Sequence, residues 1–173
     1  NAMGLAADSL AFSAFGIGWL DVDNDGDLDL FVANGAVSVL EPQEDSGIAP
    51  PLRQRNQLYL NDQGRFTVVP GVGQKQDVSR GLAFGDLDND GDTDLIVSNN
   101  HGAARIYRNE TPGGNWLGLD IQGNDSVNAI GTLVWREVTD GAGVVRRTGR
   151  RRVHTDGSYA SASDSRVLYG LGK

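Results

Sequence analysis

The sequence contains no cysteine and only two histidines among its 173 residues. The absence of cysteine excludes a disulfide framework, thiol catalysis and zinc sites built on thiolates. The sequence also lacks any apolar run near the ~20 residues that a helix needs to cross a bilayer. We therefore expect no membrane span, and a fold that is stabilised by something other than disulfides.

Glycine is abundant, with 24 residues, while hydrophobic residues make up 39% and charged residues 22% of the chain. This composition is typical of a globular protein, and many glycines without long apolar runs predict a β-rich, turn-rich fold. No signal peptide is visible. Residues 1–3 are interpreted as a tag remnant and a start, since Asn1-Ala2 before Met3 is typical of tag cleavage.

Two acidic strings dominate the charge and share one pattern. DVDNDGDLDL spans Asp21–Leu30 and DLDNDGDTDL spans Asp86–Leu95, at a constant offset of 65 positions. Removing their ten negative charges from the formal net charge of −8 would leave +2. Carboxylates at ~4 Å repel one another by roughly 1 kcal/mol per pair even in water, so this crowding calls for a compensating positive charge.

The residues around each string predict one four-stranded blade of a β-propeller, which makes the fold all-β. In the first repeat, GIGWL leads into the string, LFVAN leaves it, and NQLYLN and FTVVP follow. The counterparts in the second repeat are GLAFG, LIVSN and ARIYRNE. Alternating apolar residues in these segments are typical of half-buried strands. The segment Glu41–Arg55 is predicted to be an exposed loop that is added to the first repeat.

A small C-terminal β module is predicted from Asn115 onward, where the acidic pattern stops. NWLGLDIQG, NAIGTLVWREVTD and VVRRTGRRRVHTDG have the pattern of strands, and Asp140-Gly141 is a hairpin signal between Val138 and Val144. The predicted domains are 4–112, with repeats at about 12–70 and 80–112, and 113–173. Two blades are fewer than a complete propeller needs, so we expect a fragment of a longer protein, or blades completed by other chains.

The alternating carboxylates predict two calcium sites, because calcium takes six to eight oxygen ligands and a curling loop can aim alternate side chains inward. Glycine at position 6 of each string suits the sharp bend. Position 7 is expected to ligate through its backbone carbonyl, and position 9 to close the site. The candidate ligands are Asp21, Asp23, Asp25, Asp27, Asp29, Asp86, Asp88, Asp90, Asp92 and Asp94.

Three alternatives to a structural calcium ion that braces a β-hairpin fit the acidic strings less well. An EF-hand needs a glutamate at position 12 and flanking helices, but Val32 and Val97 occupy that position within β-branched segments. A catalytic metal usually brings in histidine, and His101 and His154 lie outside the strings. A solvated acidic turn that binds nothing is a poor account of the strings, because the same spacing occurs twice.

The pattern GDLDNDGDTDLIVSN followed by ARIYRNE resembles the FG-GAP/VCBS-type repeats of integrin-like β-propellers. This resemblance covers about Phe12–Glu110 and implies a calcium ion in the hairpin loop of each repeat, held by the ten aspartates named above. NWLGLDIQG, NAIGTLV and GSYASASDSRVLYGLG resemble an ASPIC/UnbV domain, a family named for acidic secreted cartilage proteins. That family implies no enzymatic activity that can be transferred to residues.

Three further features of the sequence allow more than one interpretation. The run Arg146–Arg152 carries five arginines and is either a solvated strand face or a patch for an anionic partner. The serines in Asp156–Arg166 lack the context of a catalytic nucleophile, so no catalytic residue is assigned. Trp19, Trp116 and Trp135 are expected in a core or between blades, with sugar stacking as the alternative.

The sequence as a whole predicts a calcium-stabilised module for binding, adhesion or scaffolding that is secreted, periplasmic or at the cell surface. Millimolar extracellular calcium would saturate even sites with dissociation constants of ~10⁻⁴–10⁻³ M. The expected partner is a protein or a glycan, rather than nucleic acid, because the basic run lacks interleaved aromatic residues. The alternative is a glycan-active propeller enzyme, or a non-catalytic part of one.

Overall fold

The computed structural model describes residues 3–38, 52–124 and 129–172. Most of the predicted loop Glu41–Arg55 lies outside the described residues. The one helix in the described part of the chain is α1 (Ala6–Ser9). Strands β1 (Ala14–Leu20), β2 (Asp29–Asn34), β3 (Gln57–Asp62) and β4 (Arg65–Val68) form an antiparallel sheet, sheet I, in the order β1-β2-β3-β4.

The second repeat forms sheet II, with β5 (Ser79–Gly85), β6 (Asp94–Asn99) and β7 (Arg105–Tyr107) in the order β5-β6-β7. The registers of the two sheets are equivalent, since Leu30 pairs with Tyr59 in sheet I and Leu95 pairs with Tyr107 in sheet II. In the described part of the chain, sheet II has no counterpart of β4. The repeat seen in the sequence is thus a repeat of hydrogen-bonded structure.

The C-terminal module consists of β8 (Asn115–Leu119), β9 (Leu133–Thr139), β10 (Val145–Arg152) and β11 (Val167–Gly172). β8 pairs with β11, and β9 pairs with β10, both antiparallel. The predicted β9–β10 hairpin is present, because the Asp140 amide donates to the Val144 carbonyl and the Gly143 amide donates back to the Asp140 carbonyl. The predicted boundary near residue 113 falls between β7 and β8.

Sheets I and II share a hydrophobic core, to which both sheets contribute buried side chains. Its buried members come from both repeats: Leu20, Val22, Phe31, Ala33, Leu58, Leu82, Leu95 and Val97. Gly16 and Gly18 in β1 allow the close approach of β5, since a Cβ at Gly16 would lie 2.8 Å from the Leu82 Cβ. A smaller core in the C-terminal module contains Val153, Val167 and Tyr169.

The structure corrects the expectation that the tryptophans are core residues. Trp19, Trp116 and Trp135 are 50%, 43% and 42% exposed. Trp19 stands edge-on to Phe66, with ring centroids 5.9 Å apart, and half of its surface remains exposed. Each of these indoles is therefore available for contacts beyond the core. Among the described residues, no helix is long and apolar enough to span a membrane.

Candidate metal centre

Each acidic string forms the connection between the first two strands of its sheet. Loop 1 (Asp21–Leu28) joins β1 to β2, and loop 2 (Asp86–Thr93) joins β5 to β6. The ninth residue of each string, Asp29 or Asp94, is the first residue of the outgoing strand. Strands flank both loops, so the exclusion of an EF-hand is confirmed.

Both loops turn through the same pair of left-handed residues. The φ angle is 57° at Asn24 and 100° at Gly26 in loop 1, and 61° at Asn89 and 92° at Gly91 in loop 2. Asparagine and glycine tolerate this region better than other residues. The shared Asn-x-Gly pattern therefore accounts for a shared backbone path. This path brings side chains from both ends of each loop together.

Three carboxylates of each string converge. One oxygen each from Asp21, Asp23 and Asp29 lies within 4.8 Å of the others. The same is true of Asp86, Asp88 and Asp94. Two oxygens bound to one calcium at about 2.3–2.6 Å are at most about 5 Å apart, so both groups are compact enough to share one ion.

The ninth aspartate also fastens the loop to its sheet. Asp29 accepts hydrogen bonds from the backbone amides of Val22 and Asn61, each at 2.8 Å. Asp94 accepts the equivalent bonds from Leu87, at 2.9 Å, and Asn109, at 2.8 Å. Each of these carboxylates therefore ties the start of its loop to the third strand of its sheet, or to the residues just after it.

The remaining predicted ligands lie outside the two compact groups. Asp25 accepts the amide of Asp27 at 2.8 Å, and Asp90 accepts the amide of Asp92 at 3.0 Å, as turn-forming aspartates do. The Asp27 carboxylate accepts the amide of Gln63 at 3.2 Å. The geometry therefore separates three convergent carboxylates in each string from two others. One of these two shapes the turn, and the other, Asp27 or Asp92, accepts a hydrogen bond from a different segment.

Loop 1 contains buried carboxylate oxygens that call for a positive charge. Oδ1 of Asp21 and Oδ1 of Asp23 are buried, and neither has a hydrogen-bond partner among the described residues. Desolvation by burial raises the pKa of Asp21, although the Gly170 amide opposes this effect. Burial also raises the pKa of Asp29 to about 7. A dication at this point would supply the missing partner, so the residues fit a calcium ion.

Loop 2 differs from loop 1 in having an arginine that forms an ion pair with one of its convergent carboxylates. Arg108 Nε lies 2.7 Å from Asp88 Oδ2, and the arginine side chain is 61% exposed. The residue at the corresponding place in sheet I is Leu60, since Tyr59 and Tyr107 occupy matching registers. A cation bound in loop 2 would thus compete with Arg108 for Asp88.

The two loops contact each other. Asn24 Nδ2 donates to Asp92 Oδ1 at 2.6 Å, and Asn24 is only 2% exposed. Asn109 Nδ2, from the second repeat, donates to the Val22 carbonyl of loop 1 at 2.7 Å. Each candidate site is therefore partly built by residues of the other repeat.

The C-terminal module covers both loops. In loop 1, the Gly170 amide donates to Asp21 Oδ2 at 3.1 Å, and the Gly172 amide donates to the Asn24 carbonyl at 2.9 Å. In loop 2, Arg166 donates to the Asp86 carbonyl at 2.5 Å and to Asn89 Oδ1 at 2.8 Å.

Side chains of the module also lie against the loop glycines. A Cβ at Gly91 would lie 1.9 Å from the Trp116 ring, and one at Gly26 would lie 2.7 Å from Arg136 Nη2. The sequence alone does not indicate these contacts, which join residues far apart in the chain. The roles of Asn61 and Asn109 do have a signal in the sequence, since Tyr-x-Asn occurs at the matching place in both repeats.

Comparison with protein families identifies the repeats. Residues 21–97 match the model of the FG-GAP-like repeat, and residues 80–115 match that of the FG-GAP repeat. The two matches together include both loops and end at the start of β8. A search of curated proteins gave no significant match. FG-GAP repeats are propeller-type, in agreement with the antiparallel sheets described above.

Proposed function

We propose that this chain, whose residues 21–115 carry FG-GAP repeats, is a calcium-stabilised extracellular binding module. The observation that carries the proposal is the pair of convergent carboxylate groups at the same place in two repeats. In loop 1 the group contains buried oxygens that no donor in the described part of the chain satisfies. FG-GAP repeats are typical of extracellular or cell-surface proteins, which supports a secreted, periplasmic or surface location.

The proposed ions are two calcium ions, one in each loop. The donors are oxygens alone, which suits a hard cation and disfavours zinc or copper. Asp21, Asp23 and Asp29 would form the centre of the first site. Asp25 and Asp27 would complete it, Asp27 through its backbone carbonyl. The equivalent residues of the second site are Asp86, Asp88, Asp94, Asp90 and Asp92.

Calcium would act here by neutralising crowded carboxylates and fixing the loops. Asp21 and Asp29 hold the loop 1 backbone, the C-terminal strand β11 and the third strand of sheet I through hydrogen bonds. An ion shared by these carboxylates would therefore set the position of three elements at once. The surfaces that these elements carry would then be presented to a partner in one arrangement.

The partner is proposed to be a protein or a glycan, bound without chemical change. We further propose that 113–173 is an ASPIC/UnbV-like domain, and that the chain is not an enzyme. A binding assay and a hydrolysis assay on the same panel of glycans would test the last point. Turnover of any member of the panel would favour the alternative of a glycan-active propeller.

The proposed calcium sites can be tested by calorimetry and thermal unfolding. At a free calcium concentration of 100 times the dissociation constant, each site adds about 2.7 kcal/mol to the free energy of unfolding. For a chain of this size, 1 kcal/mol shifts the melting temperature by about 2–4 °C. Two sites should therefore raise it by about 10–20 °C, and a titration should reveal two equivalents of calcium.

Matched substitutions assign each bound calcium ion to its loop. Asp21→Asn should remove the first equivalent and Asp86→Asn the second. The exposed Asp120, which lies outside both loops, provides the control Asp120→Asn with the same change of charge. Equal melting temperatures in calcium and in chelator, or loss of binding in the control, would contradict the proposal.

A further inference from the structure

A cavity of about 300 Å³ lies where sheets I and II meet the C-terminal module. Its walls include the ends of β1 and β5, the end of β10 and the start of β11. The volume is at the lower end of the range of small-molecule sites, about 300–1,000 Å³. The cavity can therefore hold a small ring-bearing ligand.

Arg151 lines this cavity, and its guanidinium, which lies 5.4 Å from the centroid of the Tyr169 ring, contains a nitrogen without a hydrogen-bond acceptor in the described part of the chain. Its Nη2 atom is buried, and no acceptor bonds it within the described residues. Two other arginines of the lining are paired: Arg152 with Asp156 at 2.9 Å, and Arg166 with Asp164 at 2.6 Å. A buried donor without an acceptor is unfavourable, so the guanidinium of Arg151 is the group that a ligand would satisfy.

The local electrostatics agree with that interpretation of Arg151. Burial lowers the pKa of its guanidinium, and the nearby Tyr169 and Asp21 only partly offset this effect. A bound anion would replace the solvation that Arg151 loses. The charged side chains of the lining are also mainly positive, with four arginines against two aspartates: Arg150, Arg151, Arg152 and Arg166 against Asp21 and Asp164.

Aromatic surface provides the other half of the cavity. Trp19 and Phe84 both line it, and Trp19 is half exposed. An indole offers a flat, rigid face at low entropic cost, and its N–H can bond a polar group at the rim. A flat apolar face and a guanidinium in the lining of one cavity suit a ligand that combines a ring with an anionic group.

We propose that this cavity binds the acidic unit of a glycan, a sugar ring that carries a carboxylate or a sulfate group. The anionic group accepts hydrogen bonds from Arg151, whose planar fork matches such oxygens, while the ring lies against Trp19. The inference deepens the proposed binding function and rests on it, because Asp21 of loop 1 lines the same cavity.

The test compares acidic and neutral sugars on the whole chain in calcium buffer. The probes are a disaccharide containing a hexuronate, its methyl ester, and a sulfated disaccharide. Calorimetry and indole fluorescence report binding. The acid or the sulfate should bind at least about tenfold more tightly than the neutral ester, as expected for hydrogen bonds to a charged group. Equal affinity for acid and ester, or no binding of either acidic probe, overturns the proposal.

Substitutions separate a specific contact from general attraction. Arg151→Gln should lower the affinity for the acidic sugar by about tenfold or more. Arg151→Lys keeps the charge without the planar fork, so its affinity for the acidic sugar should lie between those of the wild type and Arg151→Gln. The control is Arg146→Gln, an exposed position on the same strand outside the cavity, which should bind like the wild type. Equal losses in Arg151→Gln and Arg146→Gln would overturn the site in favour of diffuse charge.

Further measurements distinguish failure of the cavity proposal from failure of the calcium proposal. An aspartate-rich peptide that binds more tightly than either acidic sugar would overturn the glycan in favour of a protein partner. Every variant is also titrated with calcium. Normal calcium binding without sugar binding refutes the cavity site alone, whereas failure to bind calcium refutes the metal sites. If Arg151→Gln does not fold, the acid–ester comparison on the wild type decides the question.

Discussion

Replacing Asn24 with glycine tests the hydrogen bond that joins the two loops. Glycine keeps the left-handed backbone, with φ of 57°, and the bond from the Gly172 amide to the carbonyl of residue 24, so it removes only the amide side chain. That side chain donates to the Asp92 carboxylate at 2.6 Å in a nearly fully buried position. A bond to a charged group contributes about 1.5–3 kcal/mol to the free energy of unfolding.

The matched control is Asn89→Gly, at the same position of loop 2. Asn89 has φ of 61°, so both substitutions add the same glycine entropy to the unfolded chain. Its side chain accepts an exposed bond from Arg166, and exposed contacts of this kind contribute about 0–1 kcal/mol. We therefore expect Asn24→Gly to be more destabilising than Asn89→Gly by about 1–2 kcal/mol.

Urea unfolding of both variants measures this difference as a shift of the midpoint at constant slope. The two substitutions should also differ in calcium binding, because the bond links loop 1 to a carboxylate of loop 2. Calcium binding to one loop should favour calcium binding to the other in the wild type, and Asn24→Gly should weaken this coupling. Equal destabilisation by the two variants, together with unchanged coupling, would refute the reasoning.

Three further predictions concern the loops. Gly91→Ala should lower the free energy of unfolding, measured in urea, by about 2–5 kcal/mol. The reasons are that φ is 92° at this residue and that the new Cβ would collide with Trp116. Arg108→Leu should tighten calcium binding to loop 2 in calorimetry, because it removes the cation that pairs with Asp88. Metal-free protein should lose stability as pH rises from about 4 to about 7, because the folded state raises the pKa of Asp29 to about 7 and so holds its proton more tightly than the unfolded chain.

Each of these predictions has its own control. At Gly26→Ala the new Cβ would lie 2.7 Å from the flexible end of Arg136 and 3.3 Å from the Gly170 carbonyl oxygen, a milder clash than the one with Trp116, so this substitution should cost less than Gly91→Ala. Arg65→Leu, on β4, should leave the affinity of loop 2 for calcium unchanged. Asp29→Asn should flatten the pH profile of the metal-free protein. Equal costs for the two glycines, unchanged affinity in Arg108→Leu, or stability that rises with pH would each contradict the corresponding argument.

Local features of the candidate site could be predicted from the sequence. The bends at Asn24 and Gly26, and the convergence of Asp21 with Asp23, depend on residues within a few positions of one another. Repetition of the spacing made the prediction stronger, because a solvated turn has no need to recur. The β9–β10 hairpin was predictable for the same reason, since Asp140-Gly141 sets its turn locally.

Contacts between distant segments could not be predicted. Gly170 is 149 residues from Asp21, and nothing in the local sequence indicates that its amide reaches that carboxylate. Trp116 is expected in a core or between blades as a large indole, but it is 43% exposed and lies against Gly91, which is distant in the sequence. The separation of Asp25 from the convergent carboxylates was likewise invisible, because alternate spacing treats all five aspartates alike.

The attachment of β11 to loop 1 has a mechanical consequence. The amides of Gly170 and Gly172 join this last strand to Asp21 and Asn24, while β8 holds its other edge. A pulling force applied at the C-terminal end would reach the repeats through these bonds as shear. If the proposed calcium ion holds loop 1 in an adhesion module under tension, it would set the load at which the strand detaches, and the rupture force should then fall when calcium is withdrawn.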